Sequence, residues 1–298
     1  MPDDMKITIL GTNGSGKTCY LLGMYSKMQM GIEGFSLHTK DFNTHMELNE
    51  KIAALIYYKT YERWPYPTCE SIECSFDFCY GLKPLVGVNF LDYRGGALAD
   101  SSKKEDVQKF IEQVKQSDCL FLCISAENLL LTSQMKRARA IRADRINLLI
   151  REICIALQPT ANKPFPVVFV LTKFDLYPDP NHPQRVIESI QELFPTFWEF
   201  PGWIVNICPV SLGRELATNQ DSGEIKPINC HIPLLFSAYL FFRKRYLSET
   251  KENDKKYMEL LCDELVPSAF VYLNGKEVIL DVSIKEKEPE PKRSNSWV

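Results

Sequence analysis

A glycine-rich loop near the N-terminus places the tightest constraint on the fold. Residues 11–18 read GTNGSGKT and match the pattern G-x-x-x-x-G-K-[ST] at every fixed position. An apolar strand, residues 6–10, precedes the loop, and a helical pattern follows it through about Met30. Backbone amides and a helix N-terminus arranged in this way hold phosphate groups. The sequence therefore predicts a phosphate-binding loop between a first strand and a first helix.

The side chains of this loop have separate expected roles. We expect Lys17 to reach the β and γ phosphates and Thr18 to place its hydroxyl on Mg²⁺. Gly16 lets the chain approach a phosphate closely. The expected nucleotide-binding residues of the loop are Gly11, Asn13, Gly14, Ser15, Gly16, Lys17, Thr18 and Cys19.

Apolar strands alternate with helical patterns along the rest of the chain. The continuous apolar run at 118–125 is typical of a strand that is buried on both faces of a parallel sheet, and we predict a second buried strand at 166–171 and the last strand of the series at 203–210. A strand pair covers 71–80 and 84–92, and helical patterns cover 41–62, 134–157 and the segments that begin at Ser102 and Pro183. We therefore predict an α/β fold with a doubly wound, mostly parallel sheet and helices on both faces.

The pattern changes beyond about residue 230. A long helical segment begins at Ile232, and Asn274-Gly275 between alternating apolar residues predicts a β-hairpin. The last stretch, 285–298, is charged and contains proline, which is typical of a disordered tail. We predict a P-loop domain over 1–230, a helical and hairpin extension packed on it over 231–284, and the tail.

Two further motifs follow strands. Asp92 ends an apolar strand, where a carboxylate holds Mg²⁺ through water, and the amide of Gly95 is placed to sense a γ-phosphate. These two residues form D-x-x-G. After the strand 166–171, Thr172, Lys173 and Asp175 form the pattern T-K-x-D.

In this order the three motifs resemble those of P-loop GTPases of the Ras-like and translation-factor class, over roughly residues 5–215. The resemblance implies GTP or GDP and Mg²⁺ as cofactors. It also implies that Asp175 accepts hydrogen bonds from the guanine ring and that the stem of Lys173 packs on the ring face; adenine offers no matching donors. A base-supporting loop corresponds loosely to Ser211 and Leu212. The opening of the chain is also similar to bacterial stand-alone and double-GTPase families.

Two regions depart from the family pattern. The long segment between Thr18 and Asp92 should contain the loop whose threonine closes on Mg²⁺, with Thr68 as our first candidate and Thr60 as the second. Gly96 stands where the family has the glutamine that orients the attacking water.

Three explanations of hydrolysis without that glutamine stay open. The protein hydrolyses GTP slowly as a nucleotide-gated binder, a residue such as Asn13 or Arg94 supplies the missing function, or a partner supplies it. Lys17, Asn13 and Arg94 are therefore the candidate catalytic residues, and we expect weak turnover without a partner.

Composition bears mainly on partners and location. The net charge of −3 gives no general attraction to nucleic acid, and the basic stretch 136–145 is favoured as a solvated helix face. The ten cysteines form no C-x-x-C pair, which favours a reducing, cytoplasmic compartment. The apolar runs are too short for a transmembrane segment, and the acidic N-terminus does not resemble a signal peptide.

The leading function is a GTP-binding molecular switch with Mg²⁺-dependent, intrinsically slow hydrolysis, whose nucleotide state is read by a protein partner. One alternative is an interaction module that keeps its nucleotide without cycling. The other is an ATP-using P-loop enzyme, which is disfavoured because Tyr93, and no carboxylate, follows Asp92.

Overall fold

A single mixed sheet organises the protein. The computed structural model describes residues 4–57, 64–65, 72–92, 104–176, 184–218, 223–249, 252–265, 270–280 and 285–286. Within these residues, ten strands form one sheet in the order β10-β9-β8-β7-β6-β5-β1-β4-β3-β2. The strands are β1 Met5–Leu10, β2 Phe35–Thr39, β3 Ile72–Tyr80, β4 Lys83–Asp92, β5 Cys119–Ser125, β6 Phe165–Thr172, β7 Trp203–Pro209, β8 Phe270–Leu273, β9 Lys276–Ile279 and β10 Lys285–Glu286.

The centre of the sheet is parallel. Strand β1 pairs in parallel with β4 on one side and β5 on the other, and β6 and β7 continue this direction. Strands β2 and β3 at one edge, and β8 to β10 at the other, run antiparallel to their neighbours. From β1 the chain builds β2, β3 and β4 on one side of β1 and then crosses to β5 on its other side. The loop that follows β1 therefore opens where the strand order reverses, which is the crevice where ligands bind in doubly wound folds.

Helices cover both faces of the sheet, which confirms the predicted α/β fold. They are α1 Lys17–Met28, α2 Phe42–Tyr57, α3 Lys104–Lys115, α4 Ala126–Leu129, α5 Gln134–Ile141, α6 Ala143–Leu157, α7 Gln184–Leu193, α8 Thr196–Glu199, α9 Arg214–Thr218, α10 Ile232–Glu249 and α11 Glu252–Leu265. One apolar core lies under α1, α2, α10 and α11, and a second lies under α3 to α8. Among the described helices, none combines the length and apolar character needed to cross a membrane.

Two local features differ from the sequence prediction. The helix predicted over 134–157 is broken at Arg142, whose left-handed φ of 58° ends α5 and precedes α6. Strand β2, which is only five residues long, was not predicted. Its pairing with β3 and the stacking of Phe35 on Phe78, with ring centroids 5.4 Å apart, stabilise it in the folded protein.

The C-terminal hairpin is confirmed, and it joins the sheet. Strand β8 pairs with β7, and the two-residue turn to β9 uses left-handed φ values of 50° at Asn274 and 81° at Gly275. This is the backbone that an Asn-Gly turn favours. The first two residues of the predicted disordered tail, Lys285–Glu286, pair with β9; the rest of that tail lies outside the described residues.

The hairpin turn yields a stability test. A Cβ atom on Gly275 would lie 2.5 Å from the carbonyl oxygen of Trp198, whereas one on Gly81, at φ 58° in the β3–β4 turn, would meet open space. Both alanine variants incur the left-handed backbone cost, but only Gly275→Ala adds the steric clash. We expect Gly275→Ala to lower the free energy of unfolding by at least about 1 kcal/mol more than Gly81→Ala.

Denaturant titration of the two variants and the unaltered protein measures this difference. Equal losses at the two positions would show that the contact with Trp198 does not constrain the turn.

Candidate functional site

The glycine-rich loop leaves β1 and turns directly into α1. Gly16 caps the helix in the left-handed conformation, with φ 84°, and its carbonyl oxygen accepts the amide of Tyr20 at 2.8 Å. The ammonium of Lys17 donates to the carbonyl oxygens of Gly11 at 2.9 Å and Thr12 at 3.3 Å. Only 7% of Lys17 is exposed, so these carbonyls hold a buried cation at the start of the helix.

The end of β6 clamps this loop from the side. The hydroxyl of Thr172 donates to the carbonyl oxygen of Ser15 at 2.6 Å and approaches that of Ile124 at 3.3 Å. A Cβ atom on Gly16 would lie 3.0 Å from the same hydroxyl oxygen, and the left-handed φ of 84° also favours glycine at this position. Two segments that are far apart in sequence are thereby fixed against each other.

The residues that follow Thr172 turn into the same crevice. Lys173 has a left-handed φ of 55°, and its ammonium lies 3.1 Å from Oε2 of Glu127. Burial raises the pKa of the half-buried Asp175 carboxyl, and the charge of Glu127 raises it further. The charges of Arg214 and Lys173 act in the opposite direction.

The loop after β7 forms the opposite wall. The amide of Gly213 donates to the hydroxyl of Ser211 at 3.3 Å, and Ser211 exchanges two backbone hydrogen bonds with Ile228, at 3.2 and 2.9 Å. The side chain of Leu212 lies against Gly23 of α1, where a Cβ atom would overlap it. The loop is therefore held both by the segment before α10 and by close packing on α1.

These segments enclose one cavity of about 430 Å³. Of the residues predicted for nucleotide binding, those that line it are Asn13, Gly14, Gly16, Lys17, Thr18, Cys19, Thr172, Lys173, Asp175, Ser211 and Leu212. Gly11 and Ser15 lie behind the lining, where Gly11 holds Lys17 and Ser15 binds Thr172. Burial raises the pKa of the Cys19 thiol to about 11, so this thiol is protonated at neutral pH.

Asp92 ends β4 beneath the loop, as predicted for a residue on the metal side. It is 3% exposed, and its Oδ1 atom has no hydrogen-bond partner among the described residues. Burial raises the pKa of this carboxyl to about 6, against the opposing charge of Lys17. The carboxylate of Asp92 and the hydroxyl of Thr18 are oxygen donors of the hard type that Mg²⁺ prefers; Thr18 lines the cavity, whereas Asp92 lies behind the lining.

Several predicted residues lie outside the described part of the chain. They are Thr60, Thr68, Arg94, Gly95 and Gly96. Their proposed contacts with Mg²⁺, the γ-phosphate or the attacking water stay predictions from sequence.

Several residues in the lining were missed by the sequence analysis, and Glu127 and Trp64 are two of them. Glu127 follows β5 by two positions, and Trp64 precedes Pro65 in the segment after α2; both face the cavity. The available signal for Glu127 was its place at the carboxyl end of a buried strand next to β6. No sequence pattern placed Trp64 beside the loop.

Comparison with known proteins adds little to this geometry. Neither a family model nor a curated protein matches the sequence. Among solved structures, the chain is similar to a bacterial selenocysteine-specific elongation factor, EF-Sec, with 12% identity, 73% of this chain and 26% of that chain covered, and a TM-score of 0.34. This chain therefore spans about a quarter of that protein's length.

Two further solved structures have similar values. A putative nucleolar GTP-binding protein 1 from Plasmodium falciparum is 10% identical over 83% of this chain and 92% of that chain, with a TM-score of 0.38. The SRb-GTP/SRX complex of the signal recognition particle receptor from Chaetomium thermophilum is 10% identical over 63% and 79%, with a TM-score of 0.36. Likeness at this level carries no argument about function.

The clamp between β6 and the loop predicts a stability effect without any ligand. Thr172→Val keeps the side-chain shape but leaves the buried carbonyl of Ser15 without its donor. We expect a loss of about 1–3 kcal/mol in the free energy of unfolding. Denaturant titration of the ligand-free protein measures it.

Thr160→Val is the matched control, because Thr160 is exposed and its hydroxyl accepts the amide of Lys163 at 3.2 Å, while that amide keeps its bond to the carbonyl of Thr160 at 3.0 Å. This variant should change stability by less than about 0.5 kcal/mol. If the two variants behave alike, the Thr172 hydroxyl does not hold the loop.

Proposed function

We propose that this protein binds guanine nucleotides together with Mg²⁺ and acts as a molecular switch that hydrolyses GTP slowly. The observation that carries the proposal is the shared cavity. Its lining joins a phosphate-type loop, the proposed phosphate end, to the side chains of Lys173 and Asp175, the proposed base end, and the Thr172 hydroxyl ties the end of β6 to that loop.

The phosphate end supports binding of a di- or triphosphate. The loop presents backbone amides at the N-terminus of α1, where the helix dipole favours negative charge. Lys17 is already buried beside the loop and adds a cation at the same place. Thr18 and Asp92 would hold Mg²⁺, which when bound neutralises part of the phosphate charge.

The base end supports guanine. A carboxylate such as Asp175 accepts two hydrogen bonds, and guanine carries two neighbouring donors on one edge whereas adenine does not. The half-buried position of Asp175 makes an unmatched base costly there, because the carboxylate would lose water without gaining donors. Ser211 and Leu212 close the cavity from the other side.

Slow hydrolysis follows from the sequence of the segment after β4. Gly96 has no side chain that could orient the attacking water. Among the described residues, Asn13 lines the cavity and carries a side-chain amide, as the missing glutamine would. We propose that a protein partner reads the nucleotide state and supplies a missing group for turnover. The described cysteines are free thiols, which supports a reducing compartment such as the cytoplasm.

A base-swap variant tests the guanine assignment. Asp175→Asn replaces an acceptor pair with one acceptor and one donor, which complements the additional carbonyl of xanthine. We expect the ratio of GDP to XDP affinity to fall by at least about tenfold, measured by calorimetry in Mg²⁺.

Asp77→Asn on β3, which does not line the cavity, is the control and should leave the ratio unchanged. An unchanged ratio in Asp175→Asn would remove Asp175 from the base site, and preferential binding of ATP by the unaltered protein would favour the ATP-using alternative.

A single-turnover measurement tests the switch. Without a partner we expect GTP to be hydrolysed at about 10⁻⁴ to 10⁻³ s⁻¹, the range of switches that lack an arginine finger. Lys17→Ala should abolish turnover because it removes the buried cation of the loop. A rate above about 1 s⁻¹ without a partner would contradict slow hydrolysis, and tight retention of uncleaved GTP would favour the non-cycling module.

A further inference from the structure

We infer that Glu127 is a positioning residue that holds Lys173 extended along the base end of the cavity and so slows the release of a bound guanine nucleotide. This inference rests on the proposed function. It concerns a residue for which the sequence motifs gave no role.

The contact arises from the register of two parallel strands. Ser125 at the end of β5 lies opposite Thr172 at the end of β6, so the residues that follow each strand leave the sheet side by side. Glu127 lies in the first turn of α4, and its Oε2 accepts from the ammonium of Lys173 at 3.1 Å and from the hydroxyl of Ser125 at 3.4 Å. Both Glu127 and Lys173 line the cavity.

This ion pair contributes little to folding. The side chains of Lys173 and Glu127 are 42% and 44% exposed, and pairs as exposed as this one stabilise a protein by only about 0–1 kcal/mol. Its effect lies instead in orientation, because a free lysine side chain samples many rotamers. Anchoring the ammonium fixes the direction of the four-carbon stem, which then offers an apolar edge to a flat base.

Electrostatics alone would disfavour a carboxylate here. Glu127 stands in a cavity proposed to hold a polyphosphate, and its charge also raises the pKa of Asp175. Lys173 neutralises it at short range. Removing the charge of Glu127 therefore has two possible effects of opposite sign. Loss of the positioning of Lys173 speeds nucleotide release. Relief of the repulsion between Glu127 and the nucleotide, together with a lysine that is free to bind it, slows release.

The test is the dissociation rate of fluorescently labelled GDP in Mg²⁺, followed by displacement with excess unlabelled GDP. The unaltered protein is measured first, and failure to bind GDP at all would overturn the proposed function and this inference together. With binding established, we expect Glu127→Gln to release GDP about two- to fivefold faster, the range of an exposed ion pair. An unchanged or slower release would overturn the inference and leave the proposed function standing.

A second variant tests whether Glu127 acts on nucleotide release through Lys173. Lys173→Met keeps an unbranched apolar stem without the ammonium, so adding Glu127→Gln to it should cause no further acceleration. A further acceleration of twofold or more would overturn the inference, because Glu127 would then act independently of Lys173. Glu112→Gln is the matched control: it removes a similar exposed pair, with Lys115 at 3.1 Å on α3, and should leave release unchanged.

Discussion

The hydrogen bond between the Thr172 hydroxyl and the Ser15 carbonyl is the interaction on which the candidate site depends. It joins the end of β6 to the loop that follows β1, across the intervening strand β5. Because it is buried and only 2.6 Å long, the loop cannot move relative to β6 without leaving a polar group unpaired. The glycine-rich loop and the segment that carries Asp175 are thereby fixed to each other.

Much of this arrangement was predictable from sequence, since the features concerned are local. The loop 11–18 carries its own glycines and lysine, and the strands β5, β6 and β7 are mainly apolar, as burial on both faces requires. The parallel order then brings the residues after these strands to one edge of the sheet. Thr172, Asp175 and Ser211 therefore come together although nothing in the sequence gives a distance.

The features that were missed depend on contacts made only in the folded chain. Strand β2 is only five residues long and is fixed by its pairing with β3. The break at Arg142 depends on a left-handed backbone conformation, which an arginine in the sequence does not predict. Glu127 and Trp64 face the cavity because of where β5 ends and how the segment after α2 returns, and neither carries a motif.

The sequence separation between Ser15 and Thr172 affects the order in which parts of the protein fold. Ser15 and Thr172 are 157 residues apart, whereas the hairpins β3–β4 and β8–β9 close through two-residue turns. Hairpins form in about 1–10 μs, but contacts between distant segments must first overcome the entropy of closing a long loop. On the ribosome, the glycine-rich loop is made before β6, so it gains its side support only after β6 has emerged. The loop thus reaches its final geometry long after its own residues have been joined.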